Sequence, residues 1–243
     1  MNQNRAPVLA LLAVIAGTWL TAGAQPFESE APGAGEARLG RRPDSIALPE
    51  PRIRGGVSVE EAIFERRSTR RFRPEPLTLE EASQLLWAAM GKTVDGVSGP
   101  TRAHPSAGAT HPLEAYLVAG NVRGLPAGVY RYNWRDHSLT QLVNRDVRAA
   151  LANAAMRQTM IRDAPASIVF SAVVGRATAR YGPRGEARYV PMDAGAAFQN
   201  VHLQAQALGL GTVIVGAFFD DAVRGVMNLG TEVPLGIMPV GRM

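Results

Sequence analysis

Two segments near the start of the folded part of the chain carry apolar residues at helical spacing, and each opens on a capping signal. Ser or Thr is followed three residues later by Glu, a pattern that predicts a helix beginning. It places one short helix from Ser58 to Glu65 and a longer one from Thr78 to Gly91, a glycine in a C-cap position.

The rest of the pattern alternates between strand-like and helix-like runs. Runs rich in β-branched and aromatic residues predict strands at Ala115–Ala119, Val129–Trp134, Leu139–Val143, Ala166–Val174, Thr212–Phe218 and Leu235–Val240. Further helices are predicted over Val147–Met156, capped by Asn144, over Met192–Leu208, and over Asp220–Leu229. Because helices and strands intermix without strict βαβ alternation, we expect one α+β domain over residues 57–243, built on a mostly antiparallel sheet flanked by helices.

The first 24 residues have the layout of a secretory signal. Arg5 precedes an apolar stretch from Val8 to Leu20, and Ala22-Gly23-Ala24 supplies the small residues that a signal peptidase reads. We therefore predict an exported protein, periplasmic or extracellular, with a membrane-anchored form as the alternative if the signal is not cleaved. Residues 25–56 are rich in Pro, Gly, Glu and Arg, and we expect an extended lead-in there.

Composition removes several classes of chemistry. The chain has no Cys, so disulfides, thiolate metal sites and cysteine nucleophiles are excluded. The net charge of +5 comes almost wholly from arginine, because Lys92 is the single lysine. No basic tract of five or more residues exists, which argues against a nucleic-acid partner, since counterion release needs charge spread over several phosphates.

Arginines do crowd at one place, in the run Arg66-Arg67-Ser68-Thr69-Arg70-Arg71. Guanidinium groups bind phosphate oxygens bidentately and a serine hydroxyl adds a small donor, so the run suits one terminal phosphate monoester. The alternative is a solvated helix end whose arginines complement the helix dipole.

A second candidate lies in the long loop from Lys92 to Pro112. Small residues from Pro105 to Gly108 would let the backbone approach a flat ligand, with Ser106 offering a hydroxyl, although a simple turn cluster remains the alternative. No metal site is expected, because His104 and His111 lack helical spacing and a third ligand. At the end of a predicted strand, Gly216 would similarly leave an exposed backbone N–H facing a ligand, or mark an ordinary strand-to-helix turn.

Together these motifs resemble the FMN-dependent nitroreductase superfamily, and more closely its SagB/ThcOx-type branch of flavin dehydrogenases. The resemblance covers nearly all of residues 45–242. It is carried by the arginine run, the small-residue loop, and the following segments: Ile46–Pro51, Leu85–Ala89, His111–Glu114, Asp193–Gly195 with Gln199-Asn200, Ala207–Gly211, and Val240–Arg242.

The resemblance implies a sandwich fold in an intertwined homodimer, with FMN bound at two sites in the interface. Carried over residue by residue, the FMN phosphate would be held by Arg66, Arg67, Ser68, Arg70 and Arg242. The isoalloxazine would be lined by Pro105, Ser106, Ala107 and Gly108, and the backbone at Gly216 and Ala217 would lie near its N5 edge.

The expected activity is transfer of hydride or electrons to or from a small organic molecule, such as a nitroaromatic, a quinone or an enone. The electron partner is open between NAD(P)H, a quinol and oxygen. Azoline-oxidising members carry a Lys-Tyr pair where this chain has Arg180-Tyr181, and an arginine is a poor base. Tyr181 remains the candidate proton donor. The alternatives are a peptide-tailoring azoline dehydrogenase and a non-catalytic flavin-binding protein.

Overall fold

The computed structural model describes residues 45–96 and 99–243. The predicted signal segment, residues 1–24, and the lead-in up to residue 44 lie outside this part. Within it, no helix is both long and apolar enough to cross a membrane.

The centre of the described chain is a seven-stranded sheet in the order β1-β6-β5-β4-β7-β9-β8, and every neighbouring pair is antiparallel. A separate hairpin pairs β2 with β3. The strands are β1 Ser45–Ala47, β2 Lys92–Gly96, β3 Gly99–Arg102, β4 Leu113–Ala119, β5 Gly128–Asn133, β6 Ser138–Val143, β7 Ala166–Ala172, β8 Leu210–Thr212 and β9 Val233–Arg242. The mostly antiparallel sheet expected from the sequence is confirmed.

Helices cover both faces of this sheet. They are α1 Val59–Glu65, α2 Leu79–Met90, α3 Arg148–Ala154, α4 Thr159–Asp163, α5 Gly175–Tyr181, α6 Val190–Ala207 and α7 Asp220–Met227. A short π-helical turn, Gly185–Tyr189, joins α5 to α6. The two predicted capping signals are confirmed: Ser58 accepts the Glu61 N–H, and Thr78 with Glu81 forms a complete capping box at α2.

Strand β4 shows how one sequence serves two cores. Leu113, Ala115 and Leu117 pack on one face with α2 and α6, while Tyr116 and Val118 pack on the other with α3, α4 and α7. All seven residues of β4 are buried. The period of two along the strand therefore builds a three-layer sandwich, with α6 as the long helix of one layer.

Four local predictions were wrong. The predicted loop from Lys92 to Pro112 contains the β2–β3 hairpin. The arginine- and glycine-rich segment that holds Tyr181 and Tyr189, whose composition predicts a loop, is helical. Of the predicted strand Thr212–Phe218, only Thr212 lies in β8, and Val215 makes an isolated bridge to Ile237. Asn144 does not cap α3, because Asp146 Oδ1 accepts the Arg148 N–H instead, at 3.0 Å.

Candidate functional site

The arginine run leaves α1 and lies along the outer edge of β8. Ser68 pairs with Thr212 as a parallel bridge, and the Thr69 N–H donates to Thr212 O at 2.9 Å. A Cβ at Gly211 would overlap the Thr69 side chain, so glycine is required for this close approach. The backbone of the run is thus fixed by the sheet, which leaves its side chains to face outward.

The outward-facing side chains of this run include charged groups that have no partner in the described residues. Arg67, Ser68 and Arg70 are exposed, and none of the three has a side-chain partner among the described residues. Arg66 lies close enough to α6 to act on His202, whose pKa is lowered to about 4 by burial first and by Arg66 second. The structure therefore brings the predicted phosphate-binding residues of this run onto one short strip.

Arg242 is placed differently from the others. Its guanidinium forks onto Glu81, with Nη1 at 2.7 Å from Oε1 and Nη2 donating to Oε2 at 2.9 Å. Its carbonyl accepts the Arg73 N–H at 3.1 Å, which keeps the end of β9 beside the arginine strip. A direct role for Arg242 in phosphate binding stays a prediction, because Glu81 already satisfies its side chain.

The small-residue loop is anchored to the first turn of α6 by one carboxylate. Asp193 is buried, and it accepts from Ser106 Oγ at 2.6 Å and from the Ala107 N–H at 3.2 Å. Ser106 Oγ in turn accepts the His111 N–H at 2.9 Å. The Ser106 hydroxyl, expected to face a ligand, is therefore committed to holding its own loop closed.

The backbone of this loop is tightly wound. Gly108, Ala109 and His111 all have positive φ, at 55°, 53° and 46°. A second anchor comes from Arg176, which donates to His111 O at 3.0 Å and pairs with buried Glu114 at 2.7 Å. Left-handed conformations at non-glycine residues cost free energy and persist only where surrounding contacts hold them.

This backbone conformation determines which N–H groups of the loop remain free to bind a ligand. Ala107, Ala109, Thr110 and His111 all spend their N–H groups inside the protein. Within the described chain, no acceptor serves the N–H groups at 106 and 108. The loop thus presents two alternate donors on an exposed, side-chain-poor surface.

Tyr181 lies directly against this loop. A Cβ at Gly108 would overlap the Tyr181 hydroxyl, and Arg180 Nη1 approaches Gly108 O at 3.5 Å. The Tyr181 ring packs on Tyr189 with a centroid separation of 4.5 Å. The structure therefore places the predicted proton donor beside the predicted ring-lining residues.

The segment after β8 carries a second set of free donors. Gly216 and Ala217 are exposed, and in the part of the chain described their N–H groups find no acceptor. Gln158 steadies the segment, since its amide donates to Ala155 O and to Ala217 O, each at 3.0 Å. No atom lies within 4 Å of a Cβ built at Gly216, so this position is open to a ligand.

Two histidines sit beneath the small-residue loop. His104 is 1% exposed, its Nδ1 lies 3.0 Å from Ala89 O, and burial lowers its pKa to about 4. Burial also lowers the pKa of His111. Both rings are therefore neutral near pH 7, and no group of three His, Cys, Asp or Glu side chains in the described residues could hold a metal ion.

The candidate residues form two groups at different ends of α6. Arg66 acts on His202 near one end, whereas Ser106 and Ala107 bind Asp193 near the other. Nine residues of helix separate these two α6 positions, which is about 13 Å along the axis. The arginine strip leads through β8 to Gly216 and Ala217. The small-residue loop lies at the same end of α6 as Tyr181.

Sequence reasoning missed two of the residues that organise the site. Asp193 appeared only as part of a family motif, and Gln158 carried no signal at all. The carboxylate could have been suspected because Asp193 is the only Asp, Glu, Lys or Arg in α6, and a buried charge needs a partner. Its partner, Ser106, is 87 positions away in sequence, so no local pattern shows the contact.

Comparison with known proteins identifies the family. The model of the nitroreductase family matches residues 63–242. A Methanocaldococcus jannaschii protein named as a nitroreductase is 43% identical over 186 residues, covering 76% of this chain and 91% of its own. A crystal structure of a protein from Ralstonia eutropha JMP134, also named as a nitroreductase, has 32% identity and a TM-score of 0.70, covering 82% of this chain and 89% of that one.

Two further proteins are similar to this chain, one in sequence and one in fold. The trifolitoxin-processing protein TfxB of Rhizobium leguminosarum bv. trifolii is 33% identical over 165 residues, which are 64% of this chain but 44% of TfxB. The NADPH:FMN oxidoreductase of Vibrio harveyi, solved with NAD+, shares the fold at 21% identity and a TM-score of 0.54, covering 76% of this chain and 68% of that one. With its antiparallel sheet, flanking helices and match over residues 63–242, this chain belongs to the nitroreductase family.

Proposed function

We propose that this protein is an FMN-dependent oxidoreductase that transfers hydride or electrons to or from a small organic molecule of the nitroaromatic, quinone or enone type. The observation that carries the proposal is the set of unused donors. The exposed guanidinium groups of Arg67 and Arg70 are available to bind an anion. The free N–H groups on the small-residue loop and after β8 are available to hydrogen-bond acceptors on the edge of a flat ring.

The side chains and backbone N–H groups at the candidate site fit the chemistry of FMN. The arginine strip with the Ser68 hydroxyl would hold the phosphate, because guanidinium forks match its oxygens. The Ser106 and Gly108 N–H groups would face the ring edge, with Gly216 and Ala217 toward the reactive side. When bound, FMN would supply two-electron hydride chemistry, so the protein's own work is orientation, charge and proton supply.

Tyr181 is the group best placed to move a proton. Its hydroxyl lies against Gly108, and Arg180 stands over its ring with the guanidinium carbon 5.6 Å from the centroid. An arginine guanidinium is a poor base. This pairing does not favour oxidation of an azoline to a thiazole or oxazole, in which a basic partner would abstract a proton from the substrate, and it suits proton donation by Tyr181.

A homodimer explains why the two groups of residues lie apart. Nitroreductase family members are commonly homodimers, and a cofactor in the interface can take its phosphate contacts from one subunit and its ring contacts from the other. Each complete site would then contain the arginine strip of one protomer and the Asp193-anchored loop of its partner. We also propose membership of the SagB/ThcOx-type branch and export from the cytoplasm, on the sequence patterns over residues 45–242 and 1–24.

The activity is tested with purified mature chain loaded with FMN. The flavin is reduced with one equivalent of dithionite without oxygen, and reoxidation by a nitroaromatic is followed by its visible absorbance in a stopped-flow instrument. We expect reoxidation faster than that of free reduced FMN. Reoxidation no faster than that of free reduced FMN, with every acceptor class tried, would refute the oxidoreductase proposal and favour a flavin-binding protein.

NADH and NADPH are then offered as donors in place of dithionite. Because nicotinamide cofactors are scarce outside the cytoplasm, an exported enzyme should be reduced poorly by both and well by a quinol. Rapid reduction by NADPH would contradict the proposed export while preserving the oxidoreductase.

The shared site is tested by complementation. Ser68→Ala with Arg70→Ala removes phosphate contacts, and Asp193→Ala releases the loop; each variant homodimer should lose FMN on dialysis while staying dimeric. Mixed after gentle dissociation, the two should form heterodimers that retain FMN in one site of the two. Failure of the mixture to retain flavin, with heterodimers demonstrated by tagged subunits, would show that both groups must belong to one chain.

A further inference from the structure

Four arginines lie in the segment that carries the Tyr181–Tyr189 pair. Residues 175–189 contain Arg176, Arg180, Arg184 and Arg188 but a single acid, Glu186. All four arginines are exposed, and the segment lies between the predicted ring-lining loop and the start of α6. This is the most basic stretch of the described chain outside the arginine strip.

Three of the four charges are uncompensated. Arg176 pairs with Glu114 at 2.7 Å, but Arg180 contacts only Gly108 O and the Tyr181 ring. Arg184 and Arg188 have no side-chain partner in the part of the protein that the structure describes. We call Arg180, Arg184 and Arg188 the arginine rim.

Packing fixes the rim next to the candidate ring site. A Cβ at Gly185 would overlap the backbone of Ala177 and Thr178, so the π-helical turn that carries Arg188 is pressed onto α5. Tyr189 at the end of that turn packs against Tyr181 with the two rings tilted, and the Tyr181 hydroxyl lies against Gly108. The rim is therefore held by close contacts to the same loop that would line the flavin.

We propose that the arginine rim selects anionic aromatic substrates, such as nitroaromatics or quinones that carry a carboxylate or sulfonate group. The proposal rests on the proposed oxidoreductase function and names the substrate class of that site. Guanidinium groups attract anions, and the half-buried tyrosine pair supplies aromatic rings in the same segment, a combination that suits a charged aromatic ring.

A small substrate is favoured over an acidic peptide by the shape of the segment. The arginine rim lies within residues 180–189, which also hold Tyr181 and Tyr189, and Gly182, with φ of 57°, breaks the helix between Arg180 and Arg184. The arginines therefore do not form one continuous helical stripe along which an extended chain could lie.

The test uses two acceptors of nearly the same shape, para-nitrobenzoate and the neutral para-nitrobenzamide. With FMN-loaded protein reduced by dithionite, each nitro group takes two electrons from the reduced flavin and two protons, yielding a nitroso group and one water. The measured quantity is the second-order rate constant of reoxidation for each acceptor, and their ratio reports charge selection without requiring the natural electron donor.

The variant is Arg184→Gln with Arg188→Gln, which spares Tyr181 and Arg180. The matched control is Arg123→Gln with Arg145→Gln, which removes the same charge from two exposed arginines elsewhere on the surface. We expect the wild-type preference for para-nitrobenzoate over the benzamide to fall about threefold to tenfold in the rim variant and to stay unchanged in the control. High salt should reduce the wild-type preference in the same way, because added ions screen exposed charges.

The outcomes separate this proposal from the function on which it rests. If neither acceptor reoxidises the wild-type flavin, the proposed function fails. If both react and the benzoate is not preferred, or if the control pair loses the preference equally, the rim has no selective role. If an oligoglutamate peptide inhibits the reaction far more strongly than benzoate at equal charge concentration, the rim serves an acidic peptide and the small-substrate proposal is overturned.

Discussion

Replacing Asp193 with alanine is the perturbation that most directly tests how the small-residue loop is held. The carboxylate is 5% exposed and accepts from Ser106 Oγ at 2.6 Å and from the Ala107 N–H at 3.2 Å. Asp193→Ala leaves both donors inside the protein without an acceptor. It also removes a contact that helps to hold the left-handed backbone at Ala109 and His111 in place.

The size of the effect follows from these two hydrogen bonds. A hydrogen bond to a charged group contributes about 1.5 to 3 kcal/mol, and the longer Ala107 contact belongs at the low end. Removing a buried carboxylate also relieves its own desolvation, which offsets part of the loss. We therefore expect the free energy of unfolding to fall by about 3 kcal/mol, a substantial part of the stability of a typical domain.

The assay is urea unfolding of the cofactor-free protein, combined in a double-mutant cycle with Ser106→Ala. Because Asp193 and Ser106 share one bond, their effects should not add, and a coupling energy of about 1.5 kcal/mol is expected. Asp193→Asn, which keeps the shape but can accept only one of the two bonds well, should lose about half as much as Asp193→Ala. A loss below about 1 kcal/mol in Asp193→Ala, or strict additivity with Ser106→Ala, would refute the reasoning.

Two further predictions concern pH and the end of β9. Burial holds the pKa of His104 at about 4, below its ordinary 6.5, so the folded state binds this proton less readily than the unfolded state. The stability that this shift contributes is fully present above the ordinary pKa and is lost as pH falls toward 4. Between pH 7 and 5 His104 should account for a loss of about 2 kcal/mol, and His104→Asn, which keeps a donor for Ala89 O, should reduce the total loss by that amount in urea titrations at both pH values, leaving the share of His202, whose pKa is also lowered to about 4. Glu81→Ala deletes the fork to Arg242 and half of the α2 capping box, and should lower the free energy of unfolding by about 2 kcal/mol in urea. Exposed Glu80→Ala, one residue away in the same helical turn, should cost much less; equal losses in the two variants would mean that the fork contributes nothing.

The helices and strands that the sequence predicts well are those fixed by short-range chemistry. The Thr78–Glu81 capping box needs residues only three positions apart, and it forms as expected with both hydrogen bonds. The β-branched run of β7 is buried along its whole length, as predicted for a central strand. Such elements depend little on what the rest of the chain does.

The elements that sequence reasoning misplaced depend on distant partners. The segment after Thr212 is as strand-like as β7 in composition, but Val215 is its only later residue that bridges to β9, so Gly216 and Ala217 stay free in the described structure. The β2–β3 hairpin forms in a stretch rich in turn residues because its two arms pair with each other. Pairing across the fold overrode local propensity in both cases.

The candidate site divides in the same way. Residue types along the arginine strip suit a phosphate, because guanidinium forks match its oxygens, but from sequence alone a solvated helix end is equally consistent with them. The loop could not be read so directly, since the Ser106 hydroxyl that the sequence assigns to a ligand is taken by Asp193 across the fold. What the loop offers instead is backbone N–H, which no side-chain pattern reveals.

The central claim is that this chain binds FMN through its phosphate as well as its ring. The most direct measurement is a fluorescence titration of the cofactor-free protein with FMN and, in parallel, with riboflavin, which has the same ring and no phosphate. The account predicts one FMN per chain and riboflavin affinity weaker by about a hundredfold, as expected for losing charge-assisted contacts to the arginine strip. Equal affinity for the two flavins, or binding of neither, would contradict it.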